Sequence, residues 1–229
     1  EQKLDGEIVV VDDGSVDATA RVARKSGARV LELCNNLGIG GAVQSGLRLA
    51  LREGFDCAVQ IDGDGQHPPA ELPRLLAALS ASPPPDLVVG TRFSASQSAE
   101  KGFQSTPLRR LGSRWLRLLL RVTTRLAVTD PTSGYRLYGR RALELFSRSY
   151  PYDYPEPEAL ATARAAGLRI VEVPVRMRER QAGTSSIAGL SAPYYMLKVT
   201  LAVLLSHLRA ARRKRPLLSA GADASVEEI

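Results

Sequence analysis

The sequence predicts an α/β fold in which a mostly parallel sheet is covered by helices. Short apolar runs alternate with helical segments, and brief turns rich in glycine or proline join them, which is the pattern of β-α-β units. Two of the apolar runs end in acidic turns, at Asp12 and Asp13 and again at Asp62 and Asp64. Because sheets of this kind bind ligands at the carboxyl ends of their strands, the acidic turns predict a site at one sheet edge.

The first half of the chain alternates regularly between the two kinds of element. Apolar runs predict strands over 7–11, 28–33, 56–61 and 86–89. Helical periodicity predicts helices over 16–26, 42–53 and 70–79. Gly27 and Gly54 mark the ends of the first two helices, and Pro68-Pro69 stand where the third can begin.

The second half contains longer helices. The pattern predicts helices over 109–126, 155–166 and 193–213, strands over 135–138 and 168–173, and polar loops over 94–107 and 177–187. On the 109–126 helix a spacing of three or four puts five residues on one stripe: Arg110, Arg114, Arg117, Arg121 and Arg125. A second face can hold Leu111, Trp115, Leu118, Leu119 and Val122.

The arginine stripe has two interpretations. A solvated helix face is the ordinary one, but such faces carry interleaved acidic residues, and none occurs from 101 to 129. A basic amphipathic helix with Trp and Leu suits an anionic membrane interface. The helix over 193–213 has the same character and ends in a second basic block.

Composition bounds the class of protein. The 229 residues suit one domain with an appendage, and 44% hydrophobic with 24% charged residues is ordinary for a globular chain. A net charge of +7 permits nucleic acid, an anionic membrane or phosphorylated ligands as partners. We exclude nucleic acid because the basic residues lack interleaved aromatic platforms. Cys34 and Cys57 are expected to be buried, reduced thiols.

Asp62 and Asp64 directly follow the apolar run 57–61. Mg²⁺ or Mn²⁺ prefers such oxygen ligands and binds through one or two carboxylates together with substrate phosphates. A solvated turn explains many isolated Asp-x-Asp pairs, but the second acidic turn upstream favours a metal site.

Three further segments have open interpretations. The glycines from Gly38 to Gly41 either prepare a helix N-terminus for an anion or form a tight turn that needs positive φ. Arg92, after a strand end, either faces phosphate or is a surface arginine. The loop 178–186 either closes over phosphate oxygens or is an ordinary solvated loop.

In their order along the chain, these motifs resemble those of family 2 glycosyltransferases of the GT-A fold, over roughly residues 7 to 190. The resemblance rests on Val11-Asp12-Asp13-Gly14-Ser15 with Asp17, Asn35 with Gly38 to Gly41, Asp62-Gly63-Asp64-Gly65-Gln66-His67, and Asp130-Pro131-Thr132-Ser133-Gly134-Tyr135-Arg136. Glu172-Val173-Pro174-Val175, followed by Arg180, Gly183 and Ser185, is similar to the dolichyl-phosphate mannose synthase and polyprenyl-phosphate hexosyltransferase branch.

The resemblance implies metal-dependent, inverting transfer of a hexose from a GDP-mannose or UDP-glucose type donor to polyprenyl or dolichyl phosphate. Mg²⁺ or Mn²⁺ would bind Asp62 and Asp64, and the catalytic set would be Asp62, Asp64, Arg92 and Arg180. The donor would contact Asp12, Asp13, Ser15, Asn35, Gly38, Gln66 and Ser185. The acceptor phosphate would contact Arg92, Arg109 and Ser113. A phosphate acceptor needs no general base, whereas a hydroxyl would need one, with Glu156 and Asp130 as candidates.

The expected organisation has three parts. Residues 1–190 would form the GT-A domain without its first strand-helix unit, because nothing matches the family's opening Pro-x-Tyr/Phe-Asn-Glu turn. Residues 191–215 would form an amphipathic membrane-associating helix with a basic end, and 216–229 a disordered tail. We expect a peripheral protein on the cytoplasmic face of the cell membrane, partnered by an anionic membrane surface and a small integral membrane protein. The alternatives are a glycosyltransferase that extends a cell-surface polysaccharide and a non-catalytic docking protein on a degenerate form of the fold.

Overall fold

The computed structural model describes residues 6–93, 107–152, 155–178 and 191–213, and helices and strands alternate through them as the sequence predicts. The strands are β1 (Val9–Asp12), β2 (Arg29–Glu32), β3 (Cys57–Gln60), β4 (Leu87–Thr91), β5 (Arg136–Gly139) and β6 (Ile170–Pro174). The helices are α1 (Thr19–Lys25), α2 (Gly38–Arg52), α3 (Leu72–Leu79), α4 (Pro107–Thr124), α5 (Arg140–Arg148), α6 (Pro155–Ala165) and α7 (Ser191–Arg213). A single 3₁₀ turn, Pro69–Glu71, leads into α3.

The strands form two groups. β1 pairs in parallel with β2, and a four-stranded sheet has the order β3-β5-β4-β6. In that sheet β4 and β6 are parallel, while β5 runs antiparallel to both β3 and β4. Therefore β3, β4 and β6 point in one direction and β5 is reversed between them. The segment before β5 consequently lies at the same edge as the residues that follow β3 and β4.

The four-stranded sheet has helices on both faces, and β4 is buried along its whole length for that reason. On one face α3 contributes Leu75 to a cluster with Val88, Leu137 and Val175. On the other, α2 and α4 to α7 build the larger core around Leu87, Leu116, Leu120, Phe146 and Leu160. Full burial of one such side chain contributes roughly 1.5–3 kcal/mol, so these layers hold the site edge in place.

Several element boundaries differ from the sequence prediction. α1 begins at Thr19 rather than Val16, because the Asp17 carboxylate accepts the Thr19 N–H at 2.9 Å in a turn of its own. α5 was not predicted; it is short, and it buries Ala142, Leu143 and Phe146 directly after β5. Cys34 is exposed, so the expectation of two buried thiols was wrong for that residue.

The two long amphipathic helices are α4 and α7. α4 runs to Thr124 and is followed by Arg125, whose φ of 56° is left-handed. α7 confirms the helix predicted over 193–213, while the tail predicted over 216–229 lies outside the described residues. None of the helices in the described part of the chain combines the length and hydropathy of a bilayer-spanning segment.

Candidate active site

The turn after β3 carries the two predicted metal ligands, and its backbone is closed by internal hydrogen bonds. The Asp62 N–H donates to His67 Nδ1 at 3.0 Å, and Asp64 Oδ1 accepts the Gln66 N–H at 3.0 Å. The His67 ring stacks on Tyr135, with centroids 4.9 Å apart. The turn is thus fixed against β5 at the carboxyl end of β3, where the sequence placed it.

His67 acts as a hydrogen-bond acceptor here. Burial lowers the pKa of His67, and the neighbouring charges of Asp62 and Asp64 oppose that shift. An imidazole that accepts at Nδ1 carries its proton on Nε2 and is neutral. His67 therefore caps the Asp62 amide.

Gly134, just before β5, lies against the Asp62 carboxylate. A Cβ atom at Gly134 would stand 2.6 Å from Asp62 Oδ2 and 3.1 Å from Oδ1. Since real Cβ atoms essentially never lie within 3.0 Å of another heavy atom, a side chain at Gly134 would displace Oδ2 of the Asp62 carboxylate. Gly134 is therefore part of the site, and the reversal of β5 is what brings it there.

Arg92 and Asp130 form a forked ion pair at the same edge. Arg92 Nε donates to Asp130 Oδ2 at 2.7 Å and Nη2 donates to Oδ1 at 2.8 Å. The Asp130 residue is 1% exposed. Burial opposes the charge of Arg92, yet the hydrogen bonds and charge of Asp130 raise the pKa of Arg92. Arg92 thus holds the turn before β5, and the pair reduces the positive charge that it offers to a phosphate.

Glu172 on β6 supports that turn from the other side. Its carboxylate accepts the N–H groups of Thr129 and Asp130 at 2.8 to 2.9 Å. Arg92, directly after β4, and Glu172 on β6 therefore converge on Asp130.

Arg136 on β5 is fully buried and joins the turn to α6. Its Nε donates to Ser133 O at 2.9 Å and its Nη2 to Glu156 O at 2.7 Å, while Nη1 has no partner among the described residues. Burial raises the pKa of Glu156, and the charge of Arg136 opposes that shift. Glu156 is partly buried at the start of α6.

The upstream acidic turn is built separately, on β1 and the turn before α2. Asp12 is buried, and hydrogen bonding from Ser15, whose N–H lies 2.9 Å from Oδ1, lowers the pKa of Asp12. Asp13 Oδ1 accepts the Leu37 N–H at 2.6 Å, and Asn36 Nδ2 donates to the Asp13 carbonyl at 3.0 Å. Asp13 therefore connects the turn after β1 to the glycine turn.

The glycine turn is explained by close packing. Gly38 has a φ of +74°, and a Cβ at Gly40 would stand 2.0 Å from the Pro151 carbonyl oxygen. The N–H groups of Gly38 and Gly40 donate to Asn36 Oδ1 at 3.1 Å and to the Tyr152 carbonyl at 3.2 Å. Together with the Leu37 amide, three donors near this helix start already have acceptors. The structure favours the tight-turn interpretation over anion binding here.

The carboxylates fit a shared metal site. The described residues contain no group of three or more His, Cys, Asp or Glu side chains that could hold an ion alone. Asp62 and Asp64 are both partly exposed beside Gln66. Mg²⁺ typically binds proteins through one or two carboxylates and takes its other ligands from substrate phosphates and water. Two partly exposed carboxylates suit that arrangement.

Several predicted site residues lie beyond what the structure describes. Arg180 and Ser185 fall outside the described residues, as does the side chain of Arg109 on α4. Ser113 is partly buried on α4, and Asn35 is exposed before α2. The roles of these residues remain predictions.

Sequence reasoning missed the parts played by Gly134, Glu172 and the Arg92–Asp130 pair. In the sequence, the motif Asp130 to Arg136 indicates only a turn. Gly134, a glycine directly before a short strand, was the one residue that could have indicated a close contact there. Reversal of β5 is a tertiary feature that the local pattern does not show.

Comparisons with known proteins agree with this architecture. A profile of the family described as Glycosyl transferase family 2 matches residues 1–146. Undecaprenyl-phosphate mannosyltransferase from Micrococcus luteus is 36% identical over 197 residues, which cover 81% of this chain and 77% of that protein. Polyprenol monophosphomannose synthase from Mycolicibacterium smegmatis is 32% identical over 206 residues, which cover 84% of this chain and 74% of that protein.

A solved structure is similar in fold. Glucosyl-3-phosphoglycerate synthase from Mycobacterium tuberculosis, in complex with Mn²⁺, UDP-glucose and phosphoglyceric acid, superposes with a TM-score of 0.64 at 25% identity. The match covers 87% of this chain and 67% of that one.

Proposed function

Because the chain belongs to glycosyl transferase family 2 and is a glycosyltransferase of the GT-A fold, we propose that it transfers a hexose from a nucleotide sugar to a polyprenyl phosphate. The donor would be of the GDP-mannose or UDP-glucose type. Mannose transfer to polyprenyl carriers is named for the two bacterial relatives, and UDP-glucose is bound in the solved structure with Mn²⁺.

The observation that carries the proposal is the fixed geometry of Asp62. Its amide is held by His67, its carboxylate lies against Gly134, and it stands at the carboxyl end of a strand. A carboxylate oriented in advance by its own backbone and by packing suits a group that must meet a charged diphosphate without rearrangement.

Asp62 and Asp64 would hold Mg²⁺ or Mn²⁺ on the donor diphosphate. When bound, the ion offsets the negative charge that develops on the leaving nucleoside diphosphate. Asp13, Ser15 and Gln66 would position the nucleotide, as the resemblance implies.

The reaction would be an in-line displacement at the anomeric carbon. A phosphate oxygen of the acceptor forms the new bond to that carbon while the bond to the diphosphate oxygen breaks on the opposite side, so the configuration inverts. The acceptor oxygen is already anionic at neutral pH, and no proton has to be removed.

The hydrogen bonds of Asp130 argue against one of the two candidate bases for a hydroxyl acceptor. Asp130 is 1% exposed and its carboxylate accepts three donors from Arg92, so it is committed to an ion pair. Glu156 is the remaining candidate. Because a sugar hydroxyl would need a general base and only one candidate remains at this edge, a phosphate is favoured as the acceptor.

The acceptor phosphate would bind beside α4. Arg109 and Ser113 are four residues apart on that helix and share a face. Arg180 and Ser185 would close over the donor, and Arg92 would orient the turn between the two substrates through Asp130. We infer a peripheral protein at the inner face of the cell membrane, because the proposed acceptor is a lipid.

The test is transfer of radiolabelled sugar into an organic-extractable product. Purified chain is incubated with polyprenyl phosphate, Mg²⁺ or Mn²⁺, and labelled GDP-mannose or UDP-glucose. We expect lipid-linked label from one donor, and a loss on the order of 10²–10³-fold for Asp64→Asn. Asp56→Asn, an exposed residue before β3, is the matched control and should keep full activity.

Glu156→Gln separates the acceptor classes. Retained turnover with polyprenyl phosphate is expected, because no base is required. Label that enters a glycan and never the lipid would overturn the proposal, as would a lipid product that survives Asp64→Asn.

A further inference from the structure

A line of polar side chains connects the larger core to the carboxylate of Asp62. Tyr138 on β5 and Tyr150 after α5 are both buried, and their hydroxyl oxygens lie 3.1 Å apart. The Tyr138 hydroxyl lies 2.8 Å from Gln60 Oε1, and Gln60 Nε2 lies 3.4 Å from Asp62 Oδ1. The line therefore leads from Tyr150 through Tyr138 and Gln60 to a predicted metal ligand.

The sheet and the core fix the members of this line. Gln60 is the last residue of β3 and pairs with Arg136 of β5, two residues before Tyr138, so these side chains share one face of the sheet. The Phe146 ring packs edge-on against both phenol rings, with centroids 5.8 Å from Tyr138 and 5.2 Å from Tyr150. Both hydroxyls are thus held in place by packing before any ligand binds.

The chemistry of the groups allows only one direction for the hydrogen bonds. A carboxylate only accepts, so Gln60 must turn its NH₂ group toward Asp62, and its carbonyl oxygen must then accept from Tyr138. Tyr138 has one hydroxyl proton, so Tyr150 is the donor to Tyr138. Burial raises the pKa of both tyrosines, and both hydroxyls keep the protons that this order needs. Every hydrogen bond in the line points toward Asp62.

Arg136 places a positive charge behind the line. It is fully buried beside the two phenols, and its charge opposes the rise that burial causes in the pKa of Tyr138 and of Tyr150. A cation that favours loss of a phenol proton also makes that O–H a stronger donor. Because hydrogen bonds in a chain polarise one another, the charge strengthens the donors that lead to Asp62.

We propose that Gln60 and Tyr138 are positioning residues that orient the Asp62 carboxylate for the divalent ion of the donor diphosphate. Gln60 acts on the carboxylate directly, Tyr138 fixes the direction of the Gln60 amide, and Tyr150 supports Tyr138. The inference rests on the proposed function in one respect, the binding of the ion at Asp62. Partners that hydrogen-bond to metal ligands orient those ligands and tune the affinity of the site.

Packing alone does not account for these polar atoms. An apolar side chain at position 60 would suit the adjacent core, and phenylalanine at position 138 would fill the same space without a hydroxyl to satisfy. Buried polar groups cost free energy unless they are hydrogen-bonded. The polar atoms of Gln60 and Tyr138 are explained by the carboxylate at the end of the line.

The test measures binding of Mn²⁺ to the full chain in the presence of GDP or UDP, without acceptor. Electron paramagnetic resonance reports the free ion, so the measurement does not depend on turnover. The unchanged protein should bind Mn²⁺, and Asp62→Asn should abolish that binding. Gln60→Leu should weaken it on the order of 10–100-fold.

Gln44→Leu is the matched control for Gln60→Leu. Gln44 is also partly buried, and its amide donates one long hydrogen bond, to the Ser147 carbonyl at 3.3 Å. The two variants therefore lose the same kind of contact, but Gln44 lies between α2 and α5. Gln44→Leu should keep the Mn²⁺ affinity of the unchanged protein.

The two tyrosines test the order of the line. Tyr138→Phe removes only a hydroxyl and frees the Gln60 amide to rotate, so Mn²⁺ binding should weaken on the order of tenfold. Tyr150→Phe removes an equally buried hydroxyl from the same core, one step farther from Asp62, and should weaken binding less. A general loosening of the core would instead give equal losses in both variants.

The outcomes separate positioning from the proposed function. Unchanged Mn²⁺ affinity in Gln60→Leu, an equal loss in Gln44→Leu, or equal losses in the two tyrosine variants would each overturn this inference. Sugar transfer to polyprenyl phosphate is measured separately. Mn²⁺ binding that depends on Asp62 and Gln60 without transfer would overturn the proposed function alone. Transfer with Mn²⁺ binding indifferent to Gln60 would overturn this inference alone, and binding indifferent to Asp62 would overturn both.

Discussion

The carboxylate edge and the exposed surface of α4 and α7 solve opposite problems within one small fold. At the carboxylate edge the polar groups are tied down: Asp62 to His67, Arg92 to Asp130, and Asp130 to Glu172. On α4 and α7, large apolar side chains such as Leu111 and Leu201 stand exposed, and the Trp115 indole donates a hydrogen bond to Thr200 between the two helices.

The two regions differ in what their side chains do for the fold: paired polar groups fix positions, and exposed apolar groups do not. Buried polar groups are costly unless paired, so the hydrogen bonds at this edge fix the positions of its carboxylates. Exposed apolar groups fix nothing by themselves and gain energy when a partner covers them. Substitutions at the edge should therefore change stability or turnover strongly, and those on the exposed surface of α4 and α7 should change stability only slightly.

The largest effect is expected from Asp130→Ala. The change leaves Arg92 buried without its carboxylate, and breaking a buried pair costs about 3–5 kcal/mol. Urea unfolding measures the loss. Glu32→Ala, which breaks the exposed pair with Arg24, should leave the unfolding midpoint almost unchanged. Similar losses for both variants would show that the Arg92–Asp130 pair contributes no more to stability than an exposed surface pair.

Gly134→Ala should lower turnover with little change in stability. The new methyl group would push the Asp62 carboxylate out of position, and misplacement of a reacting group by about 1 Å costs on the order of 10–100-fold. Steady-state transfer assays and a thermal melt give the two numbers. Gly63→Ala, whose Cβ would meet nothing within 4 Å, is the control; equal losses would contradict the packing argument.

His67 should make the fold sensitive to mild acid. Burial lowers the pKa of His67 below its ordinary 6.5. As the pH falls through 6.5, His67 therefore becomes protonated in the unfolded chain while it stays neutral in the native chain. The free energy of unfolding should then fall by up to about 1.4 kcal/mol per pH unit until the native pKa is reached. It should be independent of this group above pH 6.5.

Urea titrations between about pH 5 and 7 measure that slope, which His67→Gln should remove. The other histidine, His207, is exposed. Asp12, Asp17 and Glu53 have lowered pKa values and titrate below this window. Burial raises the pKa of Glu156 toward it, and that group gives a slope of the opposite sign, because its native form binds the proton more tightly than the unfolded form. A slope that persists in the variant would assign the acid sensitivity elsewhere.

The smallest effect is expected from Trp115→Phe on α4. The change removes one hydrogen bond from a half-exposed indole to Thr200, and the cost should be about 0.5 kcal/mol. Calorimetry measures it on a monomeric sample without lipid. A loss as large as that of Asp130→Ala would mean that this contact between α4 and α7 contributes as much to stability as the buried pair.

Sequence reasoning reached the alternation of elements and the acidic turns because both are local. Gly54 ends α2 and the apolar run 57–61 contains β3, as predicted. It could not reach the contact of Gly134 with Asp62, since that depends on a strand reversed between two others. It also missed α5, a short helix that begins immediately after β5 with no turn between them.

The candidate site was predicted as a set of residue types, and packing changed the meaning of some of them. Arg92, which the sequence predicted as a phosphate ligand, also pairs with the buried carboxylate of Asp130, and its contact with phosphate stays a prediction. The glycines from Gly38 to Gly41 read as an anion cradle become a close approach to the 151–152 backbone. Long-range neighbours decide such roles, and spacing alone does not contain them.

At Arg125 the backbone conformation favours glycine, while the side chain supplies a positive charge. Its φ of 56° is a conformation that glycine adopts freely and other L-residues adopt at a cost. A chain shaped for stability alone would end α4 with glycine there. The arginine keeps that strain and adds a positive charge at the end of α4, so Arg125→Gly should raise the melting temperature and remove that charge.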